Sequence, residues 1–211
     1  MFDNFAKEKS DFLKKKDKSR KGYIDKDAVK IVDCINSKSD YYTTSSCAGR
    51  IVLLEMKSRK KNDCGWIFSK HDKVNFNEIN NALKHNNQKT RELPLNASDK
   101  EDTSLGSSAK NPIWFKQQPI ILHVACRSLD AAKRLLEAAR KMFKHSGILS
   151  ITDRKTTIEI IGSEKIDTII ADRDFIADEK YIKQLVKYAN HNFAENKRKS
   201  GRFLREIKHK I

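Results

Sequence analysis

The amino-acid sequence predicts an α/β fold: a single domain with a mixed β-sheet, helices packed on that sheet, and a non-Rossmann topology. Short strand-like apolar runs alternate with amphipathic segments of helical period along the 211 residues. The hydrophobic share of 38% is large enough for one sizeable core. No two of the seven glycines are separated by a single residue, so the dinucleotide-binding fingerprint is absent, and none are separated by the four residues of a P-loop, so that motif is absent too.

Two helices, two strands and a short helix are predicted in the first part of the chain. Residues 3–16 carry apolar side chains at helical spacing among lysines. Asp25 stands where it would cap the second helix, KDAVKIVDCIN. The two strands and the short helix follow, with the sequences RIVLLEM, WIFSK and FNEINNALKHN. The segment YYTTSSCAG before the first strand is predicted as a loop that enters it.

The second part of the chain begins with residues 85–110, which contain no aromatic residue, Ile or Val and predict a flexible insert. Beyond this insert, Ser128 is placed to cap the clearest helix of the chain. The last helix is predicted to end near Asn196, and residues 197–211 to form a basic C-terminal tail. The predicted strands lie within NPIWFKQQPIILHVACR, SGILSITDR, TTIEIIG and IDTIIA. One domain is predicted over residues 1–211.

The charge of the chain indicates a polyanionic partner. Lys and Arg number 44 against 28 Asp and Glu, a formal net charge of +16, and the excess is concentrated at both ends. Such a charge favours nucleic acid through the release of counterions. A lysine-rich, solvated surface explains the same numbers, and so does a non-catalytic RNA-binding module.

The cysteines and the apolar runs predict a cytoplasmic protein without bound metal. Four cysteines form no C-x-x-C pair, and no histidine stands at zinc-finger spacing from them. The first residues lack the features of a secretory signal. No apolar run approaches the roughly 18 residues that a membrane span requires, so no membrane partner is expected.

The segment TTSSCAGR at 43–50 has the residue types of a small-ligand site. Ser45 and Ser46 offer hydroxyl groups, Gly49 permits a tight turn, and Arg50 offers a planar fork for a carboxylate or phosphate. An ordinary Ser/Thr-rich turn explains the composition equally well. Cys47 is either a small packing residue or the nucleophile of a thiol enzyme.

Three further positions have both a structural and a functional interpretation. His123 lies in the apolar run IILHVAC, where a histidine is either part of the core or a group that transfers protons near neutral pH. Asp25 is most simply a helix cap. Ser146 and Gly147 belong to a short SGI segment that is either a turn or a contact to substrate.

Several motifs together resemble the wybutosine-synthesising tRNA methyltransferase family, the TYW3/Taw3-type enzymes. The resemblance extends from about residue 3 to 205. Its most specific motif, (S/T)-x-S-S-C-x-G-R, stands here in register at residues 43–50. The other segments that carry it are KDKSRKGYID, RIVLLE, KQQPIILHVACRSLDAAKRLLEAARK and SGILS.

This resemblance implies methylation, dependent on S-adenosyl-L-methionine, of a ring nitrogen in the tricyclic wybutosine precursor beside the anticodon of phenylalanine tRNA. It also implies an α/β fold distinct from the common Rossmann methyltransferases. The expected catalytic residues are Asp25 and His123, with Asp17 as a second candidate for the aspartate. The residues expected to bind the cofactor are Thr43, Ser45, Ser46, Cys47, Gly49 and Arg50. The residues expected to contact the tRNA substrate are Ser146, Gly147 and Arg127, with Arg134, Arg140 and the tail on its phosphates.

Overall fold

The α/β class is confirmed by the computed structural model. It describes residues 3–14, 24–56, 64–92, 111–172 and 175–211, with the side chains of 87–92 left out. The helices of these residues are α1 (Asn4–Leu13), α2 (Lys26–Asn36), α3 (Phe76–Glu92), α4 (Leu129–Arg140) and α5 (Glu179–Lys210). The strands are β1 (Tyr41–Cys47), β2 (Arg50–Met56), β3 (Cys64–Lys70), β4 (Ile113–Gln118), β5 (Ile121–Cys126), β6 (Gly147–Ile151), β7 (Thr156–Ile161) and β8 (Ile166–Ala171).

The described strands form two four-stranded antiparallel sheets, where the sequence predicted one mixed sheet. The strand orders are β1-β5-β7-β6 and β3-β2-β4-β8. The chain passes from one sheet to the other at residues 162–165, between β7 and β8, and at two shorter links: residues 48–49 between β1 and β2, and residues 119–120 between β4 and β5. Gly49 has a positive φ of 97°, and proline has no N–H to donate to a ladder. Both shorter links therefore end a strand instead of continuing its pairing.

The contacts of the chain divide it into two compact units. Unit 1 contains residues 1–49, 119–164 and 192–211, and unit 2 contains residues 50–118 and 165–191. Each unit contains one of the two sheets and one of the two large buried clusters of apolar side chains. None of the described helices is long and apolar enough to cross a membrane.

One face of the sheet of unit 1 packs against α2, α4 and the end of α5. Leu122 and Val124 of β5 are completely buried in the apolar cluster on this side, which we call the helix face. Helix α4 begins as predicted, because the Ser128 hydroxyl accepts a hydrogen bond of 3.2 Å from the Ala131 amide. The four alanines of α4, together with Leu135 and Leu136, are buried in this cluster.

The opposite face of the same sheet, which we call the α1 face, is covered in part by α1. Phe5 and Phe12 of α1 lie 5.4 Å and 5.3 Å from the Tyr42 ring, measured between ring centroids. The Tyr42 hydroxyl donates to Glu8 at 2.9 Å, and Lys155 also donates to Glu8. These contacts attach α1 to the sheet by aromatic packing and by one ion pair.

The Glu8 ion pair makes the stability of this attachment depend on pH. The hydrogen bond from Lys155 holds the pKa of the Glu8 carboxyl below its ordinary value of 4.5. A carboxyl whose pKa is lowered by folding stabilises the fold above its unfolded value and loses that contribution as the pH falls through its folded value. We expect Glu8→Gln to lower the midpoint of urea unfolding at pH 7. The difference from the wild type should shrink as the pH falls below 4.5, because the carboxyl becomes protonated in the folded state as well. Glu137→Gln, on the exposed side of α4, is the control, and a Glu8→Gln difference that does not decrease with falling pH would contradict the assignment.

Unit 2 packs its sheet against α3 and the first part of α5. Ile51, Leu53 and Phe115 are fully buried in its apolar cluster. The Asn190 side chain of α5 bonds the backbone of Val74 from both of its amide atoms, at 2.9 Å and 2.7 Å. Helix α3 extends to Glu92, into the segment predicted as a flexible insert, and residues 93–110 of that prediction lie outside the described residues.

The predicted end of the last helix is wrong, because α5 continues past Asn196 to Lys210. Phe203 and Ile207, within the segment predicted as a basic tail, are completely buried in the core of unit 1. Their spacing of four residues places them on one side of a helix. The many lysines and arginines of residues 197–210 mask this pattern when the segment is assessed by its charge.

Candidate active site

The segment predicted as a cofactor-holding loop is itself a strand. Tyr41–Cys47 forms β1 and pairs antiparallel with β5 along its whole length. Strand β5 pairs in turn with β7, and β7 with β6. The motif residues before Ala48 are therefore fixed to a sheet that also carries His123 and Gly147.

A row of four residues crosses this sheet on the α1 face. Ser45 of β1 is opposite His123 of β5, His123 is opposite Glu159 of β7, and Glu159 is opposite Gly147 of β6. Directly opposite residues in an antiparallel sheet point to the same side. Three of the residues predicted to bind or act on a ligand thus lie in one line, joined by Glu159, which was not predicted.

Hydrogen bonds join the side chains of this row. His123 Nδ1 is 3.0 Å from Ser45 Oγ, and His123 Nε2 is 3.0 Å from Glu159 Oε1. The histidine and glutamate side chains are 33% and 27% exposed, and Ser45 is an exposed residue. A Cβ added at Gly147 would meet no atom within 4 Å, so the row ends in open space. A ligand on the α1 face can therefore reach the Ser45 hydroxyl directly.

A β-bulge at Thr44 separates the two serines of the motif and decides which residues join the row. Thr43 is opposite Val124 and Ser45 is opposite His123, so β1 has one extra residue at this point. Ser45 and Cys47 consequently lie on the α1 face. Thr43 and Ser46, which share the face of Val124 and Leu122, point toward the helix face.

Thr43, predicted to bind the cofactor, is a buried residue of β1. Thr43 is 7% exposed, and its backbone amide donates a hydrogen bond of 2.7 Å to the Asn36 side chain. Its hydroxyl oxygen is buried, with no hydrogen-bond partner among the residues that the structure describes. A ligand on the surface of the sheet does not meet this side chain.

Asp25 connects α2 to the end of β1. Its backbone carbonyl accepts the first hydrogen bonds of α2, from the amides of Ala28 and Val29, at 2.8 Å and 3.1 Å. Its side chain makes no cap bond to that helix; it accepts a hydrogen bond of 2.9 Å from the Ala48 amide instead. One carboxylate oxygen lies within 4.8 Å of Cys47 Sγ. The alternative aspartate, Asp17, lies outside the described residues.

Gly49 occupies a backbone conformation that other residues avoid. Its φ of 97° lies in the left-handed region, where a Cβ collides with the backbone. We expect Gly49→Ala to lower the free energy of unfolding by about 1–2 kcal/mol. Gly147→Ala is the matched control, because its added Cβ meets no neighbour. Urea titration followed by circular dichroism measures both, and equal stability of the two variants would contradict the expectation.

Arg50 begins β2 in unit 2 and is held in place by two neighbours. Its Nε donates to Gln118 Oε1 at 2.5 Å, and its guanidinium lies 4.6 Å from the centroid of the Trp66 ring. The aromatic contact and the hydrogen bond fix the plane of the fork. The edge formed by the two Nη groups is the part that a carboxylate would bind in a bidentate manner.

Two of the residues predicted to bind substrate, Ser146 and Arg127, have hydrogen-bond partners within the fold. Ser146 is 2% exposed, and its hydroxyl donates to the Phe143 carbonyl at 2.8 Å and accepts from the Ile161 amide at 3.3 Å. Arg127 donates to both oxygens of Asp3 at 2.7 Å and to Asp40 at 2.9 Å. Its hydrogen bonds to Asp3 lower the pKa of that carboxyl. These two side chains stabilise the fold around the site.

Two further arginines predicted to hold phosphates also have partners within unit 1. Arg134 donates to Asp40 at 3.3 Å, and Arg140 donates from Nε to the Ser146 carbonyl at 2.9 Å. A phosphate would have to compete with these bonds. Arg127, Arg134 and Arg140 therefore each have a hydrogen-bond partner within unit 1.

Glu159 is the residue of the row that the sequence analysis missed. Its local sequence, TTIEIIG, holds one acid between isoleucines. The two neighbours, Ile158 and Ile160, are completely buried, and alternation along a strand places Glu159 on the other face. A single acid inside an apolar strand is a signal that the sequence offered. The partner of Glu159 could not be predicted from the sequence, because His123 is 36 residues away in the chain.

The fold and the row define a class: an α/β protein with two antiparallel sheets, no glycine-rich nucleotide loop, and a Ser–His–Glu row on one sheet. Residues 7–209 match the family described as Methyltransferase TYW3, and the chain belongs to that family. The resemblance that the sequence motifs predicted is thereby confirmed.

Individual relatives agree with this assignment over most of their length. The tRNA wybutosine-synthesizing protein 3 homolog of Mus musculus is 32% identical over 213 residues, which are 98% of this chain and 74% of that protein. The tRNA(Phe) 7-((3-amino-3-carboxypropyl)-4-demethylwyosine(37)-N(4))-methyltransferase 1 of Pyrococcus abyssi is 32% identical over 191 residues, 89% of this chain and 87% of that protein. The solved structure of the PH1069 protein from Pyrococcus horikoshii matches with a TM-score of 0.79 at 30% identity, covering 97% of this chain and 96% of that one.

Proposed function

We propose that this chain uses S-adenosylmethionine to methylate a ring nitrogen of the tricyclic wybutosine precursor in phenylalanine tRNA. The observation that carries the proposal is the motif at 43–50, which lies within the residues 7–209 that match the family. The name of the Pyrococcus abyssi relative specifies N(4)-methylation of a demethylwyosine base at position 37 of tRNA(Phe). The net charge of +16 suits an RNA substrate.

S-adenosylmethionine would supply a methyl group on a positively charged sulfur. The residue best suited to hold its carboxylate is Arg50, because Gln118 and Trp66 already fix the plane of the guanidinium and its Nη edge matches a carboxylate. For Ser46, Cys47 and Gly49 the assignment to the cofactor rests on the motif alone. Holding the two reactants in line supplies much of the acceleration of such a displacement.

The α1 face of the sheet is where we place the chemistry on the base. His123 handles the proton of the acceptor nitrogen, and Asp25, at the end of β1, orients the base. Gly147 leaves the surface beside Glu159 free of a side chain, so a flat ring system can approach the row there. These roles use groups that unit 1 alone provides.

The test is transfer of a labelled methyl group from S-adenosylmethionine to tRNA(Phe) that carries the unmethylated tricyclic base. We expect turnover with this tRNA and none with tRNA(Phe) that has an unmodified guanosine at position 37. A thermal shift with S-adenosylmethionine or its demethylated product measures cofactor binding separately. If the chain binds tRNA but neither binds the cofactor nor transfers methyl groups, it is the non-catalytic RNA-binding module instead.

We also propose that the end of α5 contacts the phosphates of the tRNA. Arg202 and Arg205 are exposed, whereas Phe203 between them is buried in the core. Their guanidinium groups thus face solvent from a rigid helix. Exposed arginines on a rigid element bind phosphates without the entropy cost of ordering a tail.

Neutralising these two arginines tests that contact. We expect Arg202→Gln with Arg205→Gln to weaken tRNA binding and to reduce the slope of log affinity against log salt concentration by about 2. Filter binding at several salt concentrations measures the slope. The urea midpoint and the cofactor affinity of the double variant should equal those of the wild type. An unchanged slope would show that this part of α5 is ordinary solvated surface and does not contact the tRNA.

A further inference from the structure

Both ring nitrogens of His123 already have partners, so the imidazole has no ring nitrogen left for a ligand. Nδ1 lies 3.0 Å from the Ser45 hydroxyl oxygen and Nε2 lies 3.0 Å from the Glu159 carboxylate. Of these three residues, Ser45 is the exposed one. A proton that moves from a ligand to His123 without breaking the row must therefore pass through Ser45.

The direction of each hydrogen bond in the row follows from the chemistry of its end groups. An ionised carboxylate only accepts, so the hydrogen between His123 and Glu159 is on Nε2. The neutral imidazole then has a lone pair on Nδ1, which accepts the O–H of Ser45. The lone pairs of Ser45 Oγ are left for a ligand. This is the order of groups found in serine–histidine–acid triads, where the acid fixes the tautomer of the histidine.

We propose that Ser45, His123 and Glu159 form a proton relay in which Ser45 Oγ receives the proton of the methylated nitrogen and Glu159 is the positioning residue. The inference rests on the proposed methyltransferase function and names the group that meets the substrate. In this scheme Ser45 contacts the substrate, whereas the sequence motif predicted that it binds the cofactor. His123 acts through it, and Glu159 acts through His123.

The step balances in atoms and charge. Ser45 Oγ bonds the proton as the N–H bond of the base breaks, and the original Ser45 proton passes to His123 Nδ1. The electron pair of the ring nitrogen forms the bond to the methyl group, whose bond to sulfur breaks with its pair left on sulfur. The positive charge of the sulfonium thus ends on the imidazolium, beside the Glu159 carboxylate. Return of the proton from Nδ1 to Ser45 Oγ, as Ser45 gives its hydroxyl proton to water, restores the row.

Kinetics of matched variants test the relay. We expect Glu159→Gln to lower kcat by about 10²-fold and to change KM by less than about threefold, because Glu159 touches His123 and not the substrate. Ser45→Ala should lose a similar factor, and Ser45→Thr, which keeps the hydroxyl, should recover at least a tenth of the wild-type rate. Glu206→Gln on α5, which removes a carboxylate paired with Lys141, is the control and should retain wild-type kcat.

Nitrogen-15 NMR of the histidine side chains gives a readout independent of activity. We expect His123, assigned by comparison with His123→Ala, to have its hydrogen on Nε2 at neutral pH. In Glu159→Gln both tautomers should be populated, because an amide offers a donor and an acceptor. A wild-type His123 with its hydrogen on Nδ1 overturns the relay. So does an active wild type whose Glu159→Gln variant turns over within threefold of it. A wild type with no methyl transfer to the precursor tRNA overturns the proposed function, and the relay with it.

Discussion

Replacing His123 with alanine is expected to lower kcat for methyl transfer to the precursor tRNA by about 10²–10⁴-fold, the range that general acid–base catalysis contributes. Its imidazole contacts Ser45 and Glu159 within the protein. The affinities for tRNA and for S-adenosylmethionine should therefore stay close to those of the wild type. The measurement is single-turnover methyl transfer with saturating enzyme, which separates the chemical step from binding.

The control for this variant is His85→Ala, which removes an exposed histidine from α3 of unit 2. It should leave kcat unchanged. The melting temperature of His123→Ala should remain near that of the wild type, because the side chains of the row are partly exposed and water can replace the lost bonds. If kcat of His123→Ala is within threefold of the wild-type value, His123 takes no part in the chemical step.

Replacing Phe203 with alanine is expected to lower the free energy of unfolding by about 3–5 kcal/mol, the usual cost of removing a buried phenylalanine ring. Phe203 is completely buried and packs edge-on against Phe143 of the segment after α4, with 5.7 Å between ring centroids. The deleted ring leaves a cavity that the sheet and helices around it cannot close fully. Urea unfolding followed by far-ultraviolet circular dichroism measures the change.

Arg202→Ala is the matched control, since it changes the adjacent, exposed residue of the same helix. It should leave the urea midpoint within the error of the wild type. If residues 197–211 were a solvated tail, both variants would have wild-type stability. Equal stability of Phe203→Ala and the wild type would therefore contradict the extent of the core described for unit 1.

Most secondary structure elements were predictable, because local signals specify them. The helix that begins at Ser128 has a side-chain cap and an unbroken apolar stripe, and RIVLLEM has the β-branched and aliphatic content of a buried strand. Strand β1 was missed because threonines and serines are common in turns as well as in strands. Its pairing with β5 supplies the hydrogen bonds that its own side chains do not specify.

The end of α5 was missed for a different reason. The segment after Asn196 is dominated by lysine and arginine, which suggested a solvated tail. Only three of its residues need to be apolar to attach one side of a helix to a core: Phe203, Leu204 and Ile207. Long basic side chains on the other side remain in water while the helix is buried along one stripe.

The candidate site was predictable as a set of residues but not as a geometry. The motif, His123 and Gly147 could be identified as candidates from the sequence, and all of them lie within the residues that match the family. Glu159 could not be connected to them, because only the pairing of β5 with β7 brings it opposite His123. The roles of Ser146 and Arg127 depended on the same kind of information: one is buried and the other is paired with two carboxylates.

The sequence by itself determined the α/β class, the absence of a Rossmann-type cofactor loop, the family motif and the strong positive charge, because each of these depends on residue types and short spacings. The tertiary structure alone decided which motif side chains meet His123. In a regular strand Thr43 and Ser45 would share a face, and the bulge at Thr44 separates them. A bulge is a mismatch between two paired strands, here residues 41–47 against residues 121–126. A bulge forms only when the two strands pair, so the sequence of either strand alone does not predict it.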